Sequence, residues 1–258
     1  MTSDLSTDLV VRLRAAGCVF AEDEARLLLE AADTPLELAT MVDRRAGGVP
    51  LEIVLGWAAF LGLRIAVDPA VFVPRRRTEF LARQAIRLAR RGAVVVDLCC
   101  GTGAVAAAIA VAVPDVDLSA ADVEPAAVRC ARRNVHGAVY EGDLYSALPT
   151  RLRGRIDVLV ANVPYVPSGE LDLLPPEARV YEPPVALDGG ADGLDVLRRV
   201  IAGASGWLAP GGHLLFEMST RQAPPATNLL TAAGLTPEVT TDENLAATVV
   251  IATNTPTH

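Results

Sequence analysis

The sequence contains no lysine, so all 23 basic residues are arginine. This absence excludes enzymes that depend on a lysine, namely those that form a Schiff base with pyridoxal phosphate, P-loop nucleotide hydrolases and protein kinases. Histidine is scarce as well, and His136, His213 and His258 are not placed at the spacing of metal ligands. We therefore expect no metal site, and a zinc hydrolase is excluded.

Cysteines and long apolar runs are also few. The four cysteines follow neither a CxxC pattern nor the spacing of a disulfide framework, which indicates a reducing compartment. The longest purely apolar run, residues 104–113, is much shorter than the roughly 20 residues that span a bilayer. The chain also begins without a basic and apolar signal peptide. These absences predict a soluble, cytoplasmic protein with no membrane partner.

Positive charge is in deficit, because 31 acidic residues outnumber the 23 basic ones and leave a net charge of −8. This balance argues against a protein whose main function is to bind phosphate backbones, so direct nucleic-acid binding is not expected. Apolar residues make up 51% of the 258 residues, which is enough to bury a folded core. The length fits one large domain, or one domain with a small appendage.

Residues 1–70 show the spacing of short amphipathic helices, with apolar side chains at helical intervals such as Leu5, Leu9 and Leu13. The stretch Thr34-Pro35-Leu36-Glu37 combines a cap residue, a proline at the first helical position and a glutamate three residues after the cap. It predicts a helix that begins at Pro35. We predict a helical N-terminal domain over residues 1–70 and a second domain over residues 71–258.

From about residue 71, apolar runs alternate with helical stretches. This alternation predicts an α/β fold with a mostly parallel sheet and helices on both of its faces. The proline-rich segment, residues 164–184, is too long for a simple connection, and loops of this length are usually lids or binding loops. The predicted strands are 93–98, 116–122, 156–161, 213–218 and 248–252, and the predicted helices are approximately 103–113, 125–134, 194–208 and 222–233.

A glycine-rich turn follows the first of these strands. In an open α/β sheet, ligands bind at the carboxyl ends of the strands. Glycines allow a ligand to approach the backbone closely, and the next helix offers unpaired amide hydrogens at its amino end. The pattern fits a nicotinamide dinucleotide as well as S-adenosylmethionine, so it does not separate the two cofactors. The residues concerned are Asp97, Cys99, Cys100, Gly101, Thr102 and Gly103.

Two acidic residues lie at the ends of later apolar stretches. Asp122, with Val123 beside it, ends the second predicted strand, where its carboxylate can accept both ribose hydroxyls of either cofactor. A role in supporting the start of the next helix is compatible with this one. Asp143 can accept a hydrogen bond from an adenine amine, with Leu144 against the ring, although an aspartate in such a position is often only a turn residue.

The tetrapeptide Asn162-Val163-Pro164-Tyr165 follows the strand 156–161 and favours S-adenosylmethionine. A planar amine or amide nitrogen is a poor nucleophile because its lone pair is delocalised, so a methyltransferase must position it and stabilise the growing charge. The Asn162 side-chain oxygen and the Val163 carbonyl can each accept one of its hydrogens. Pro164 holds that carbonyl in place, and Tyr165 can pack on the substrate. A plain turn at a strand end would show the same tetrapeptide.

Together these residues resemble the glutamine amide-nitrogen methyltransferases that modify peptide-chain release factors and a ribosomal protein. The resemblance covers nearly the whole chain, and the tetrapeptide with the segment around Pro74-Arg75 is its most specific part. Besides the glycine loop, Asp122 and the tetrapeptide, it rests on residues 50–56, 72–75, 78–79, 142–143, 181–184, 186–187, 190–194 and 210–212 and on Glu217.

The resemblance implies a class I S-adenosylmethionine-dependent methyltransferase, with a Rossmann-like, seven-stranded, mostly parallel sheet and a small helical N-terminal domain that docks the protein substrate. The acceptor would be a glutamine in an exposed loop of a release factor or a ribosomal protein. The implied cofactor site comprises Asp97, Cys99, Cys100, Gly101, Thr102, Gly103, Asp122, Val123, Asp143, Leu144 and Asn162. The implied catalytic and substrate site comprises Asn162, Val163, Pro164 and Tyr165, with Arg75 in substrate binding.

The chain departs from the pattern of this family at several positions. Val163 stands where a second proline is usual, Arg76 and Arg77 replace a proline and an acidic residue, Cys99 replaces a glycine, and Leu144 replaces an aromatic residue. These changes spare the cofactor chemistry but leave the identity of the substrate open. Two alternatives therefore remain: methylation of an exocyclic amine of a nucleic-acid base, and a cofactor-binding relative without catalytic activity.

Overall fold

Four helices form the N-terminal part of the computed structural model, which describes residues 2–255. They are α1 (Thr2–Ala15), α2 (Ala21–Ala31), α3 (Pro35–Ala46) and α4 (Leu51–Leu55). The predicted start of α3 is confirmed, because the Glu37 amide donates to Thr34 Oγ1 over 3.2 Å and Pro35 is the first helical residue. The fully buried side chains Leu13, Leu28 and Val42 give these helices a small core of their own.

A two-stranded antiparallel hairpin follows α4 and corrects the prediction of an all-helical N-terminal segment. Its strands are β1 (Trp57–Phe60) and β2 (Leu63–Ala66). The two residues between them have positive φ angles of 47° and 78°, as a tight type I′ turn requires. Phe60 and Ile65 are buried in the same apolar cluster as the helices that follow. An apolar run this short does not distinguish a strand from a helix by its periodicity.

Seven strands form the central sheet. They are β3 (Val94–Leu98), β4 (Asp117–Asp122), β5 (Ala138–Glu141), β6 (Ile156–Ala161), β7 (Leu208–Met218), β8 (Thr236–Asp242) and β9 (Ala247–Thr253). Their order is β5-β4-β3-β6-β7-β9-β8. Strand β9 is antiparallel to both of its neighbours, and all other pairs are parallel. The predicted α/β fold with a mostly parallel sheet is therefore confirmed.

Six further helices accompany the sheet: α5 (Thr78–Leu88), α6 (Ala104–Ala112), α7 (Pro125–Asn134), α8 (Pro176–Tyr181), α9 (Asp195–Trp207) and α10 (Ala223–Ala232). Val95 of β3 packs in a cluster with α5 and α6, whereas its neighbour Val96 packs with α9 and α10 on the opposite face. Strand β3 is thus covered on both faces, which explains its continuous apolar sequence. Across residues 2–255, none of the helices combines the length and the apolar character of a membrane span.

The strand order reverses between β3 and β6. From β3 the chain continues to β4 on one side, and β6 pairs with β3 on the other side. Leu98 and Ala161 are partners in the register, so the segments that follow the two strands leave the sheet side by side. The crevice at such a reversal is where open α/β sheets bind their ligands.

The proline-rich segment is not a plain loop. It contains α8, a short 3₁₀ turn at Ser168–Leu173 precedes this helix, and another at Pro184–Ala186 follows it. Between residues 165 and 184, only Ala178 and Glu182 are buried. Apolar packing therefore contributes little to the position of this segment.

Candidate active site

A cavity of about 310 Å³ opens at the carboxyl ends of β3, β4 and β6. Its volume lies in the range of small-molecule sites. It also extends beneath the proline-rich segment, which contributes Leu174, Pro175 and Ala178 to the wall. Seven residues predicted to bind the cofactor line it: Asp97, Cys99, Cys100, Gly101, Asp122, Val123 and Asn162.

The other four predicted cofactor residues lie outside the cavity lining: Thr102, Gly103, Asp143 and Leu144. The Thr102 carbonyl accepts a hydrogen bond from the Asn134 side chain over 2.8 Å. Asp143 forms an ion pair with Arg199, and Leu144 is buried in the core. These contacts hold the loops around the cavity, and direct contact of the four residues with a cofactor stays a prediction.

The loop after β3 turns sharply at the edge of the cavity. Cys99, Gly101 and Gly103 have positive φ angles of 55°, 55° and 76°, and α6 begins directly afterwards. The Gly101 amide donates to Asp122 Oδ2 over 2.8 Å, which fixes the loop to the end of β4. The loop therefore places its own backbone and the amino end of α6 at the wall of the cavity.

Asp122 connects two backbone segments. Besides the bond from Gly101, its Oδ1 accepts a hydrogen bond from the Glu124 amide over 2.9 Å, just before α7 begins. Burial raises the pKa of Asp122, and the two amide hydrogen bonds oppose that rise. A carboxylate has about four acceptor sites, so about two remain for a ligand. Support of the turn before α7 and binding of ribose hydroxyls are therefore compatible.

Asp97 lies beneath the loop, with 1% of its surface exposed. Its Oδ2 accepts a hydrogen bond from the Ala106 amide over 3.1 Å. Burial, assisted by the negative charge of Asp122, raises the pKa of Asp97 to about 7. A cation in the cavity would favour the charged form of this carboxyl.

Asn162 directly follows β6 and lines the cavity. Its Oδ1 atom is buried and has no hydrogen-bond partner among residues 2–255. A buried acceptor without a partner costs free energy, so such atoms usually mark the place of a ligand or a water molecule. Val163 and Pro164 also line the cavity, and the Val163 side chain packs into the core. The structure thus brings the predicted catalytic residues to the cofactor loop.

Tyr165 is held by a buried acid. Its hydroxyl donates to Glu217 Oε1 over 2.9 Å, and Arg77 Nε donates to the same oxygen over 2.9 Å. Burial, together with the charge of Glu217, raises the pKa of Tyr165, so the hydroxyl stays protonated and remains a donor. The Arg77 guanidinium also lies over the Tyr165 ring, 5.8 Å from its centroid. Arg77, a departure from the family pattern, therefore forms part of the site wall.

Arg75, predicted to bind the substrate, is engaged within the protein. Its Nη2 atom donates to both carboxylate oxygens of Glu182 over 2.6 Å, and its guanidinium lies 4.8 Å from the Phe72 ring centroid. Glu182 is buried and also accepts from the Val73 amide over 3.1 Å. Arg75 lines the cavity and fixes one end of the proline-rich segment, whereas its contact with a substrate stays a prediction.

Gln222 and Gly193, to which the sequence assigns no individual function, pack against the backbone of the tetrapeptide at Tyr165. Gln222 Nε2 donates to the Tyr165 carbonyl oxygen over 2.8 Å. Gly193 packs so closely that a Cβ atom would lie 2.3 Å from the same oxygen. Gln222 had no sequence signal, because its partner is 57 residues away. Glu217, by contrast, stands out as an acid within the apolar strand β7, and that contrast could have predicted a buried polar contact.

Comparisons with known proteins agree with this geometry. A family model described as the methyltransferase small domain matches residues 63–174. A release factor glutamine methyltransferase of Geobacter sulfurreducens is 39% identical over 208 residues, which are 78% of this chain and 72% of that protein. A 4-amino-L-phenylalanine/4-methylamino-L-phenylalanine methyltransferase of Streptomyces pristinaespiralis is 36% identical over 244 residues, with 91% of this chain and 82% of that protein covered. A solved methyltransferase structure from Pyrococcus furiosus shares the fold, with a TM-score of 0.58, 16% identity, and 77% of this chain and 92% of that chain covered.

We expect the loss of a proton from Asp97 to make the folded protein less stable as the pH rises. The raised pKa means that the folded protein holds this proton between about pH 4 and pH 7 whereas the unfolded chain releases it. In urea unfolding, the stability of the wild type relative to Asp97→Asn should therefore fall by roughly 2–3 kcal/mol between about pH 5 and about pH 8. A difference between the two proteins that does not change with pH would contradict the shifted pKa.

We expect Gly193→Ala to damage both folding and the site. Gly193 has a φ of 76°, and its new methyl group would meet the Tyr165 carbonyl oxygen. Strain and overlap should together cost about 2–4 kcal/mol of unfolding free energy. Gly234→Ala is the matched control, because its φ is 78° and no atom lies within 4 Å of its added Cβ. Equal losses in the two variants would show that the contact with Tyr165 is unimportant.

Proposed function

This chain belongs to the family of release factor glutamine methyltransferases, and on that premise we propose that it transfers a methyl group from S-adenosyl-L-methionine to the side-chain amide nitrogen of a glutamine in a protein. One observation carries the proposal. The Asn162 side-chain oxygen is buried, lacks a partner among the described residues and lies in the wall of the cavity that also contains the glycine loop. It is an acceptor in need of an N–H donor, and a carboxamide nitrogen supplies one.

The residues of the cavity fit S-adenosylmethionine. Asp122 retains acceptor sites for ribose hydroxyls, the loop at Gly101 allows close approach, and the acidic Asp97 suits a cationic ligand. When bound, the cofactor supplies a methyl group made electrophilic by a positively charged sulfur. The chain itself then has to hold the acceptor nitrogen and exclude water, which is how positioning contributes to a rate.

Asn162 and Val163 would position the glutamine amide. The Asn162 oxygen accepts one amide hydrogen and the Val163 carbonyl accepts the other, which directs the nitrogen lone pair into the cavity. As the nitrogen gains positive charge, both hydrogen bonds strengthen. Pro164 restricts the backbone of Val163, and this restraint keeps its carbonyl in position. The new N–C bond replaces the bond between the methyl group and sulfur, and the nitrogen then releases one of its two protons to solvent water, which restores its planar, neutral form.

Tyr165 would form the acceptor side of the site. Its hydroxyl donates to Glu217 and its backbone carbonyl accepts from Gln222, so the residue is held at its side chain and at its backbone. A rigid ring can pack against a planar amide at little entropic cost. Arg75 and Arg77 also line the cavity and would meet the polypeptide around the glutamine.

The proposed acceptor is a release factor or a ribosomal protein, with the glutamine in an exposed loop. Such an acceptor needs a docking surface outside the cavity, and we assign that role to the helical part of residues 1–70, with the methyltransferase domain over residues 71–258. The free cysteines Cys18, Cys99, Cys100 and Cys130 support a reducing, cytoplasmic location.

A second candidate function is methylation of an aromatic amine on a small molecule. The Streptomyces pristinaespiralis relative, named for 4-amino-L-phenylalanine, aligns with 91% of this chain. An arylamine nitrogen shares the delocalised lone pair and the two hydrogens of a carboxamide, so the same two oxygens would bind it. The two functions differ in what surrounds the nitrogen, which makes them separable by the choice of acceptor.

The decisive experiment offers the purified protein labelled S-adenosylmethionine with release factors, ribosomal proteins, 4-amino-L-phenylalanine and an adenine-containing oligonucleotide in parallel. Mass spectrometry of the labelled product should place one methyl group on a glutamine side chain. Label only on the amino acid would establish the second candidate, and label on the oligonucleotide would establish base methylation. Cofactor binding by calorimetry without any transfer would indicate an inactive relative and refute the proposal.

We expect Asn162→Ala to lower kcat by roughly 10²–10³, because one preorganised hydrogen-bond partner of the reacting nitrogen is lost. The dissociation constant of the cofactor should change much less. Asn254→Ala serves as a control. Its side chain donates to the carbonyls of Leu208 and Ala209 at the start of β7, and Leu208 is paired with Ile156 at the opposite end of β6 from Asn162. Near-native turnover of Asn162→Ala would refute the positioning role.

We expect Asp122→Asn to weaken cofactor binding by about 1–3 kcal/mol, because a charge-assisted hydrogen bond becomes a neutral one. Isothermal titration measures the affinity, and thermal unfolding without cofactor measures the structural cost separately. If the melting temperature fell while the dissociation constant stayed the same, Asp122 would act only on the loop and on the turn before α7.

A further inference from the structure

Arg45 of α3 is a buried cation that joins the N-terminal helices to the proline-rich segment. Its side chain is 10% exposed, as is that of Glu24 in α2. Both oxygens of Glu24 accept from Arg45, at 2.5 Å from Nε and 3.1 Å from Nη2. The remaining Nη1 atom donates to Glu177 Oε1 over 2.6 Å and to the Val49 carbonyl over 3.3 Å.

The contact with Glu177 spans 132 residues of sequence and reaches α8. Although burial alone would lower the pKa of Arg45, the hydrogen bonds and charges of Glu24 and Glu177 raise it, so the guanidinium stays charged. Separating the members of a buried ionic network leaves a charge uncompensated, which is strongly unfavourable. The network therefore keeps Glu24, Arg45 and Glu177 together.

Tyr181 of α8 packs against the apolar cluster of Ile53, Ala58, Val67 and Val73, and otherwise the helix has little apolar packing to hold it over the cavity. It has six residues, too few for an isolated helix to be stable in water. Ala178 is its one buried residue, and Val180 is 68% exposed. The ion pair of Arg75 with Glu182 fixes the end of the segment, and the Arg45–Glu177 pair fixes its middle. Leu174, Pro175, Glu177 and Ala178 all line the cavity.

We propose that Arg45 is a positioning residue for methyl transfer: through Glu177 it holds α8 over the cavity, where α8 forms part of the wall that meets the acceptor. The N-terminal helices then have a second role besides binding the acceptor, because their packing sets the position of one wall of the cavity. A protein that engages these helices acts on the same wall. This inference rests on the proposed function for its kinetic consequence, but not for its structural one.

The test uses Glu177→Ala, because Glu177 is partly exposed and its loss leaves the buried Arg45–Glu24 pair intact. Glu170→Ala is the matched control: it lies in the same proline-rich segment, forms an exposed ion pair with Arg221 and does not line the cavity. Glu177→Gln retains an acceptor oxygen and should restore part of the wild-type behaviour.

The first measurement is limited proteolysis with trypsin. Since the chain has no lysine, Arg179 is the one cleavage site between Arg155 and Arg198, and it lies in α8. Proteolysis follows the population of the open form, so loss of a partly buried ion pair should speed cleavage after Arg179 by about fivefold or more. Fragment masses identify the site, and Glu170→Ala should match the wild type.

The second measurement is steady-state kinetics with the acceptor protein. Glu177→Ala should raise KM for the acceptor several-fold, lower kcat much less and leave the cofactor dissociation constant near that of the wild type. Glu170→Ala should behave as the wild type does. A general loss of folded protein would instead lower the active fraction without this division between KM and kcat.

Unchanged cleavage at Arg179 in Glu177→Ala would overturn the inference, and so would faster cleavage with an unchanged acceptor KM. If the wild type methylates no protein, the proposed function fails by itself. In that case the cleavage rate, and the KM for whichever acceptor the parallel assay identifies, still decide whether Arg45 holds α8 in place.

Discussion

The parallel pairing of β3 with β6 is the constraint on which the site depends. Because Leu98 is paired with Ala161, the first residues beyond the two strands, Cys99 and Asn162, emerge next to each other. Cys99 begins the glycine-rich loop, and Asn162 carries the buried oxygen that has no hydrogen-bond partner among residues 2–255. A shift in this register would separate the glycine-rich loop from Asn162, and burial of β3 and β6 on both faces opposes such a shift.

Buried carboxyl groups organise the rest of the site, and each has a different partner. Asp97 is offset mainly by one amide and keeps a pKa near 7, whereas Asp122 receives two amides. Glu182 and Glu217 are instead paired with Arg75 and Arg77. Asp97 and Asp122, near the glycine-rich loop, are thus not paired with a cation within residues 2–255, so their environment favours a positively charged ligand. Glu182 and Glu217 are each paired with a guanidinium group.

Among the residues that the structure describes, arginine provides the cation of each ion pair named above, and Arg45 uses its guanidinium as a fork. Arg75 binds both oxygens of one carboxylate, while Arg45 binds two different carboxylates and a carbonyl at once. A lysine ammonium could not hold two carboxylates and a carbonyl in a fixed plane. Two arginine contacts join the proline-rich segment to residues more than 100 positions away in the sequence, and they hold part of the cavity wall in place.

Several local features of this protein could be predicted from sequence patterns. Each of these features depends on neighbours within a few residues, so a short stretch of sequence predicts it. They are the β-branched run of β3, the cap and proline of α3, the glycine turn and the Asn162 tetrapeptide. Other features became visible only in the folded chain. They are the hairpin β1–β2, the ion pair of Asp143 with Arg199, the hydrogen bonds of Tyr165 with Gln222 and Glu217, and the contact of Arg45 with Glu177. These are side-chain contacts between distant segments, or a run too short for its periodicity to be read. Their free energy arises from burial that exists only once the chain has folded.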